Sequence, residues 1–197
     1  MSNITQNWVK ILLPFTSGYS RRLTQSELAE ISGIPQQTCS RHLNRLVEEG
    51  FVSYEVRGRN KLFFIDRGNP SANALFQALE NCKALEFHHR VKDISVIISE
   101  LLNYAESIIL FGSYASYKYK KDSDIDILIM GGAEKEKIKK VKQRYNTAIN
   151  EQYSSYREFR ESLKSENPLA IEIMKNHILF GNISSIVKIF MEADYEH

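Results

Sequence analysis

The sequence predicts an α+β protein made of two small domains joined by a helical linker. Apolar residues recur at helical spacing in residues 3–49, and two strand-length runs rich in β-branched and aromatic residues follow. After residue 104, strand-like and helical segments alternate, which predicts a small mixed sheet. We therefore expect an N-terminal domain over residues 1–68, connecting helices over 69–103 and a C-terminal domain over 104–197.

The composition is that of an ordinary globular protein, with 43% hydrophobic and 25% charged residues in a chain of 197. No apolar run approaches the roughly 20 residues that a membrane helix needs, so no membrane role is expected. The N-terminal segment lacks the pattern of an export signal, which predicts a cytoplasmic protein. The two cysteines, Cys39 and Cys82, lack metal-ligand spacing and are expected to be packing residues. Their small number fits a protein of a reducing compartment.

The positive charge lies in the N-terminal third of the chain. Residues 1–70 contain nine basic and six acidic residues, whereas the whole chain carries a net charge of only +2. A surface that binds the phosphates of a nucleic acid would need such an excess.

Three short helices are expected before residue 50. The first begins near Asn3 and ends near Pro14 and the turn Thr16 to Gly18, the second begins after Thr24, and the third covers residues 36–49. For the second helix, Thr24 and Glu27 form a capping box, Leu28 and Ile31 form the buried side, and Gly33 ends the helix.

In the third helix, Leu43, Leu46 and Val47 are expected to face inward, and Gly50 is expected to end the helix. A hairpin is expected after it. Its strands cover residues 51–56 and 61–65, and Arg57-Gly58-Arg59-Asn60 has the chemistry of the turn between them. A generic small α/β unit would be the alternative interpretation.

Residues 3–66 resemble the winged helix-turn-helix of bacterial and archaeal transcription regulators, most clearly in "LTQSELAEISGIPQQTCSRHLNRLVEEGFVSYEVRGRNKLFFI". The resemblance implies binding of double-stranded DNA, with the third helix in the groove and the wing tip on the backbone or minor groove. The residues expected to contact DNA are Gln36, Gln37, Thr38, Ser40, Arg41, Asn44 and Arg45 on the helix, with Arg57, Arg59 and Lys61 on the wing.

Two connecting helices are expected after Gly68-Asn69-Pro70. The first begins at Ala72 and runs through Leu75, Leu79, Cys82 and Leu85, and the second runs through Val91, Ile94, Ile98 and Leu101. Their apolar faces make them the expected element of a homodimer. Neighbouring residues on a helix point in different directions, so His88 and His89 are expected on the surface rather than on a shared metal.

The pattern that carries chemistry is Ile108-Ile-Leu-Phe-Gly112-Ser113, separated by ten residues from Asp124-Ile125-Asp126. A buried strand ends at Gly112, which permits a sharp turn close to a ligand, and Ser113 begins a short helix suited to phosphate oxygens. Asp124 and Asp126 share one face of a second strand, while Ile125 and Ile127 pack on the other. Paired carboxylates repel each other unless a cation joins them, and Mg²⁺ suits such oxygen ligands.

This pattern resembles the DNA polymerase beta superfamily of nucleotidyltransferases. By that resemblance Gly112 and Ser113 hold a nucleoside triphosphate, and Asp124 and Asp126 bind Mg²⁺ for in-line nucleotidyl transfer. The superfamily also uses a third carboxylate on a later strand. Here the expected strand, residues 147–152, has Asn150 at the fitting position and Glu151 one step away. Glu151 could take the catalytic role only if a bulge or another register turned it to the Asp face.

The remaining segments complete the domain. The basic run from Lys135 to Arg144 is expected to be the solvated face of a helix that buries Ile138, Val141 and Tyr145, with contact to nucleic acid as the alternative. His177 is expected at the start of a strand rather than in catalysis.

Three functions fit this sequence. The favoured one is a regulator whose second domain is a degenerate nucleotide-binding nucleotidyltransferase. The second is an active enzyme that modifies a toxin-like partner protein, as in toxin-antitoxin pairs, and whose DNA-binding part controls its own operon. The third, modification of a small molecule such as an aminoglycoside, has no sequence feature of its own.

Overall fold

A computed structural model describes residues 6–145 and 147–193. The chain forms two compact units, and the boundary between them falls at Leu79 and Glu80, inside a long helix. The predicted α+β class is confirmed, with a helix-turn-helix unit first and a sheet domain second. Residues 3–5 of the predicted first helix lie outside the described residues.

The first unit is a three-helix bundle with a small sheet. Its elements are α1 (Gln6–Leu12), a 3-10 turn (Leu13–Ser17), β1 (Leu23–Thr24), α2 (Gln25–Ser32), α3 (Gln36–Glu48), β2 (Ser53–Arg57) and β3 (Asn60–Phe64). The strands lie in the order β1-β3-β2, all antiparallel. The two-residue strand β1 was not expected from the sequence, because it is too short to show any alternation.

Local sequence explains where α2 begins and ends. The Thr24 side chain accepts from the Glu27 backbone N–H at 3.2 Å, and the Glu27 carboxylate accepts from the Thr24 N–H at 2.7 Å, which confirms the capping box. Gly33 ends the helix in the left-handed conformation. The expected buried side is half correct, because Leu28 is fully buried but Ile31 is 54% exposed.

The second unit is a four-stranded sheet with helices on both faces. Its elements are α4 (Ala72–Arg90), which begins in the first unit, α5 (Lys92–Leu101), β4 (Ala105–Phe111), α6 (Gly112–Ala115), β5 (Ile125–Ala133), α7 (Lys135–Arg144), β6 (Ile149–Ser154), α8 (Tyr156–Lys164), α9 (Pro168–Lys175), β7 (Ile178–Gly181) and α10 (Ile183–Ala193). The strand order is β6-β5-β4-β7, in which β5 and β6 are parallel and the other pairs antiparallel.

Alternation along β5 separates two different environments. Ile125 and Ile127 belong to a core that also contains Ile98 of α5 and Ile138 of α7. Leu128 points to the other face, where it borders residues of α8 and α9. The two aspartates of the Asp-Ile-Asp pattern share that second face.

A buried ion pair ties α4 to the second unit. Glu80 is fully buried, its Oε1 lies 3.0 Å from His177 Nε2, and its Oε2 lies 2.9 Å from Lys83 Nζ. Burial alone would raise the pKa of Glu80, but the Lys83 ammonium and His177 outweigh it and lower the pKa to about 2. His177 does precede a strand, but it is a buried structural partner as well.

One expectation for the connecting helices needs correction. Leu85 is 58% exposed, because Ala84 and Phe87 form the inward side of α4 at that point, and it adds to the apolar face expected there. His89 is on the surface as expected, whereas His88 is half-buried and packs edge-on against Phe180. No helix in the described part of the chain is long and apolar enough to cross a membrane.

Candidate functional site

Gly112 lies directly against the second aspartate of the pattern. In the register of β4 and β5, Phe111 is opposite Asp126, so the turn at Gly112 passes over that carboxylate. Gly112 has φ +69°, and a Cβ there would lie only 2.6 Å from Asp126 Oδ2. Only glycine permits this close approach without a shift of the carboxylate.

The side chains of Asn176 and Ser116 stabilise the turn that follows Gly112 and make no hydrogen bond with the Ser113 hydroxyl. Asn176 Nδ2 donates to the Gly112 carbonyl at 3.2 Å, and Ser116 Oγ donates to the Gly112 and Ser113 carbonyls at 3.1 Å each. Ser113 itself is half-buried, and its hydroxyl has no hydrogen-bond partner among the described residues. Sequence reasoning missed Asn176, since nothing in the pattern points to a residue 64 positions away.

Asp124 and Asp126 meet a third side chain, that of Asn150. The parallel register places Asn150 opposite Asp126. The Asn150 amide nitrogen donates to Asp124 Oδ2 at 3.3 Å and to Asp126 Oδ1 at 3.1 Å. An amide N–H group thus lies between two carboxylates, where it reduces their repulsion.

The structure does not bring Glu151 into this group. The β5–β6 register runs without a bulge, so Glu151 lies opposite Ile127 on the other face of the sheet. There it forms an ion pair with Lys142 of α7. The catalytic role considered for Glu151 is therefore not supported by its position.

The two aspartates offer a donor set of only two carboxylates. No group of three or more His, Cys, Asp and Glu side chains suited to a metal occurs among residues 6–145 and 147–193. Mg²⁺ is commonly held by one or two protein carboxylates together with substrate phosphates, so this pair fits that ion.

The expected DNA surface of α3 is polar and accessible. Gln36, Gln37, Arg41, Asn44 and Arg45 are exposed, and Thr38 and Ser40 are half-buried. The opposite side of the helix is apolar, since Cys39, Leu43 and Leu46 are fully buried. Separation of the two sides leaves a continuous face of hydrogen-bonding side chains.

At the wing tip, Arg57, Arg59 and Lys61 are all exposed. Glu55 pairs with Arg57 at 2.9 Å and with Arg22 at 3.2 Å, while Lys61 Nζ lies over the Tyr54 ring at 4.3 Å. Arg59 makes no ion pair with any described residue.

Most of the basic side chains of α7 have a partner within the protein. Lys137, Lys142 and Arg144 each form an ion pair, and Lys135 lies over the ring of Tyr153. These contacts favour the interpretation as a solvated helix face, with Ile138 and Val141 buried beneath it.

These units define a protein in which a winged helix-turn-helix is fused to a nucleotidyltransferase-type domain. The family description "Winged helix-turn-helix DNA-binding" matches residues 21–53, and "Nucleotidyltransferase domain" matches residues 91–193. Because the second match covers more than half of the chain, the protein belongs to the nucleotidyltransferase domain family.

A similar protein is the "putative protein adenylyltransferase" of Methanocaldococcus jannaschii, 43% identical over 60 residues. The match covers 28% of this chain and 58% of that protein's length. Two solved structures are also similar. A predicted DNA-binding transcriptional regulator from E. coli has a TM-score of 0.35 and 25% identity over 40% of this chain and 79% of that one. A MarR family transcriptional regulator from Silicibacter pomeroyi has a TM-score of 0.36 and 21% identity over 51% of this chain and 71% of that one.

Proposed function

We propose that the protein is a cytoplasmic transcription regulator that binds double-stranded DNA through its first unit and a nucleoside triphosphate with Mg²⁺ through its second. The polar face of α3 and the cationic wing tip support the DNA part. The turn at Gly112 and the neighbouring Asp pair support the nucleotide part. Small-molecule modification has no supporting feature.

Asp124 and Asp126 would hold the Mg²⁺ ion, with Ser113 beside the phosphates. When bound, the ion would neutralise charge on the triphosphate. The Asn150 amide occupies the space between the two carboxylates, so its hydrogen bonds must change when a cation approaches. Gly112 would let the phosphates lie close to the backbone.

The observation that supports a loss of efficient transfer is the position of Asn150. In nucleotidyl transfer a hydroxyl oxygen bonds to the α-phosphorus, the α–β phosphoanhydride bond breaks, and pyrophosphate leaves. The hydroxyl proton must pass to a base. Asn150 stands beside Asp126 where a carboxylate could accept it, and an uncharged amide cannot. We therefore favour a nucleotide-binding domain that has lost turnover.

An active protein adenylyltransferase is the second candidate. The name of the Methanocaldococcus relative favours it, although the match spans 58% of that protein. The acceptor would then be a toxin-like partner protein, and the winged helix would repress the operon that encodes both. A homodimer through α4 and α5 suits either candidate, because Leu85 and Val96 expose large apolar side chains there.

Restoring the carboxylate separates the two candidates. The full chain is incubated with Mg²⁺ and each labelled nucleoside triphosphate, and pyrophosphate release and label transfer are measured. We expect the wild type to release pyrophosphate no faster than a protein-free blank and Asn150→Asp to release it at least a hundredfold faster than that background, the usual scale of general-base catalysis. Glu151→Gln is the control, because Glu151 lies on the opposite face and its loss should change nothing. Rapid release of pyrophosphate by the wild type would contradict the loss of turnover and support the second candidate, an active nucleotidyltransferase.

A further inference from the structure

A cleft opens on the same face of the sheet as the Asp pair. It has a volume of about 220 Å³ and lies between β5, β6, α8 and α9. Leu128 and Gln152 lie in its wall, opposite each other in the parallel register. Because side chains two residues apart share a face, Leu128 follows Asp126 and Gln152 follows Asn150, at a distance of about 6.6 Å along the strands.

The direction of this cleft matches the path of a nucleoside. If Gly112 and Ser113, which directly follow β4, held the β- and γ-phosphates and the Asp pair at the start of β5 held the α-phosphate, the phosphate chain would cross the strands. The attacking and leaving oxygens are in line, and the other oxygens of the α-phosphate, including the one that carries the ribose, are equatorial. The ribose would then extend at a steep angle to the phosphate chain, and Leu128 and Gln152 are the residues that lie in that direction along the strands from the Asp pair.

The chemistry of the cleft suits an uncharged planar ring. None of the described residues that line it carries a charge. Leu128, Leu169 and Ile173 supply apolar surface, while Ser162 and Gln152 supply neutral polar groups. The Gln152 carboxamide makes no side-chain hydrogen bond with any described residue. A carboxamide pairs in bidentate fashion with adenine, which presents a donor beside an acceptor.

We propose that this cleft is the nucleobase subsite of the domain and that Gln152 selects adenine. The inference rests on the proposed nucleotide function and adds the identity of the base. The cleft suits the base rather than the phosphates, because none of the described residues that line it is cationic. A guanine ring presents two acceptors at the edge where adenine presents one donor and one acceptor, so it loses one of the two hydrogen bonds.

The test measures dissociation constants of the full chain for Mg·ATP, Mg·GTP and Mg·tripolyphosphate by titration calorimetry. We expect the wild type to bind ATP about tenfold more tightly than GTP, the scale of one bidentate contact. Gln152→Leu should remove this preference, and Ser162→Phe, which fills the cleft, should weaken ATP binding to the level of tripolyphosphate. Both variants should bind tripolyphosphate as the wild type does, which also shows that they fold.

Matched controls place the same changes outside the cleft. Gln143→Leu on α7 and Ser184→Phe on α10 alter exposed residues and should leave all three constants unchanged. The proposal is overturned if the wild type binds ATP and GTP equally, or if Gln152→Leu and Ser162→Phe retain the wild-type preference. If ATP binds no more tightly than tripolyphosphate, the assignment of the cleft as the nucleobase subsite is wrong, while the proposed binding of phosphates stands. Failure to bind either ligand overturns the proposed nucleotide function and this inference with it.

Discussion

At the scale of single residues, the second unit depends on a few polar side chains whose partners are far away in the sequence. Asn150 reaches two aspartates 24 and 26 positions earlier, and Asn176 reaches the carbonyl of Gly112. Glu80 and His177 are 97 positions apart and fully or nearly buried. Such pairs leave no periodic pattern, which explains why the sequence suggested neither the buried ion pair nor the role of Asn176.

Glu80 makes stability depend on acid pH. Its pKa falls from 4.5 in the unfolded chain to about 2 in the folded protein, because Lys83 and His177 outweigh the effect of burial. A lowered carboxyl pKa contributes stability that is complete above pH 4.5 and disappears as the pH falls toward 2. From that shift we expect Glu80→Gln to lower the free energy of unfolding by roughly 3 kcal/mol near neutral pH and by progressively less in acid.

Chemical denaturation of both proteins between pH 7 and pH 2 measures this difference. Glu86→Gln is the control on the same helix, because the Glu86–Arg90 pair is exposed and such pairs contribute little. A difference between wild type and Glu80→Gln that stays constant from pH 7 to pH 2 would contradict the linkage.

At the scale of elements, the sequence predicted what local chemistry determines. The Thr24–Glu27 capping box, the turn at Gly58 and the strand before Gly112 depend on neighbouring residues, and all are present. Exposure within a helix depends on what packs against it, and for this reason the prediction that Ile31 is buried was wrong. The face of Glu151 depends on the register of β6 against β5, which the sequence does not record.

The wing is the element whose role can be tested by charge. Replacing Arg57, Arg59 and Lys61 together with Ala should weaken binding to every DNA sequence and flatten its dependence on salt, because phosphate contacts release counterions. The slope of log K against log salt should fall by about 0.9 for each lost phosphate contact. Fluorescence anisotropy with a labelled duplex at several salt concentrations gives both quantities.

The control removes the same charge elsewhere. Lys139, Lys140 and Lys188 are exposed in the second unit, and their replacement with Ala changes the net charge equally. It should leave the salt slope near that of the wild type. An unchanged slope in the wing variant would remove the wing from the DNA-binding surface.

At the scale of the whole molecule, two units with different proposed ligands share one chain. The boundary between them falls inside α4, so the helix that contributes Glu80 to the second unit begins in the first. A ligand that binds only the folded second unit stabilises that unit by an amount set by its concentration and affinity. Thermal melting therefore reports nucleotide binding even when no turnover occurs, which suits a domain with Asn150 beside its aspartates.

The last prediction concerns the carboxylates themselves: Asp124→Asn with Asp126→Asn should abolish Mg²⁺-dependent nucleotide binding and leave the fold intact. Two carboxylates on one strand face repel each other, and the Asn150 amide relieves only part of this repulsion. The double variant loses the anchor for the cation, and its melting temperature without ligand should equal or exceed that of the wild type. With Mg²⁺ and a nucleoside triphosphate at a hundredfold excess over Kd, the free energy of unfolding of the wild type should rise by about 2.7 kcal/mol, and its melting temperature should rise with it. The variant should show no rise in either quantity. Equal shifts in both proteins would place the metal elsewhere, and no shift in the wild type under any nucleotide would leave the domain as a scaffold beside the DNA-binding unit.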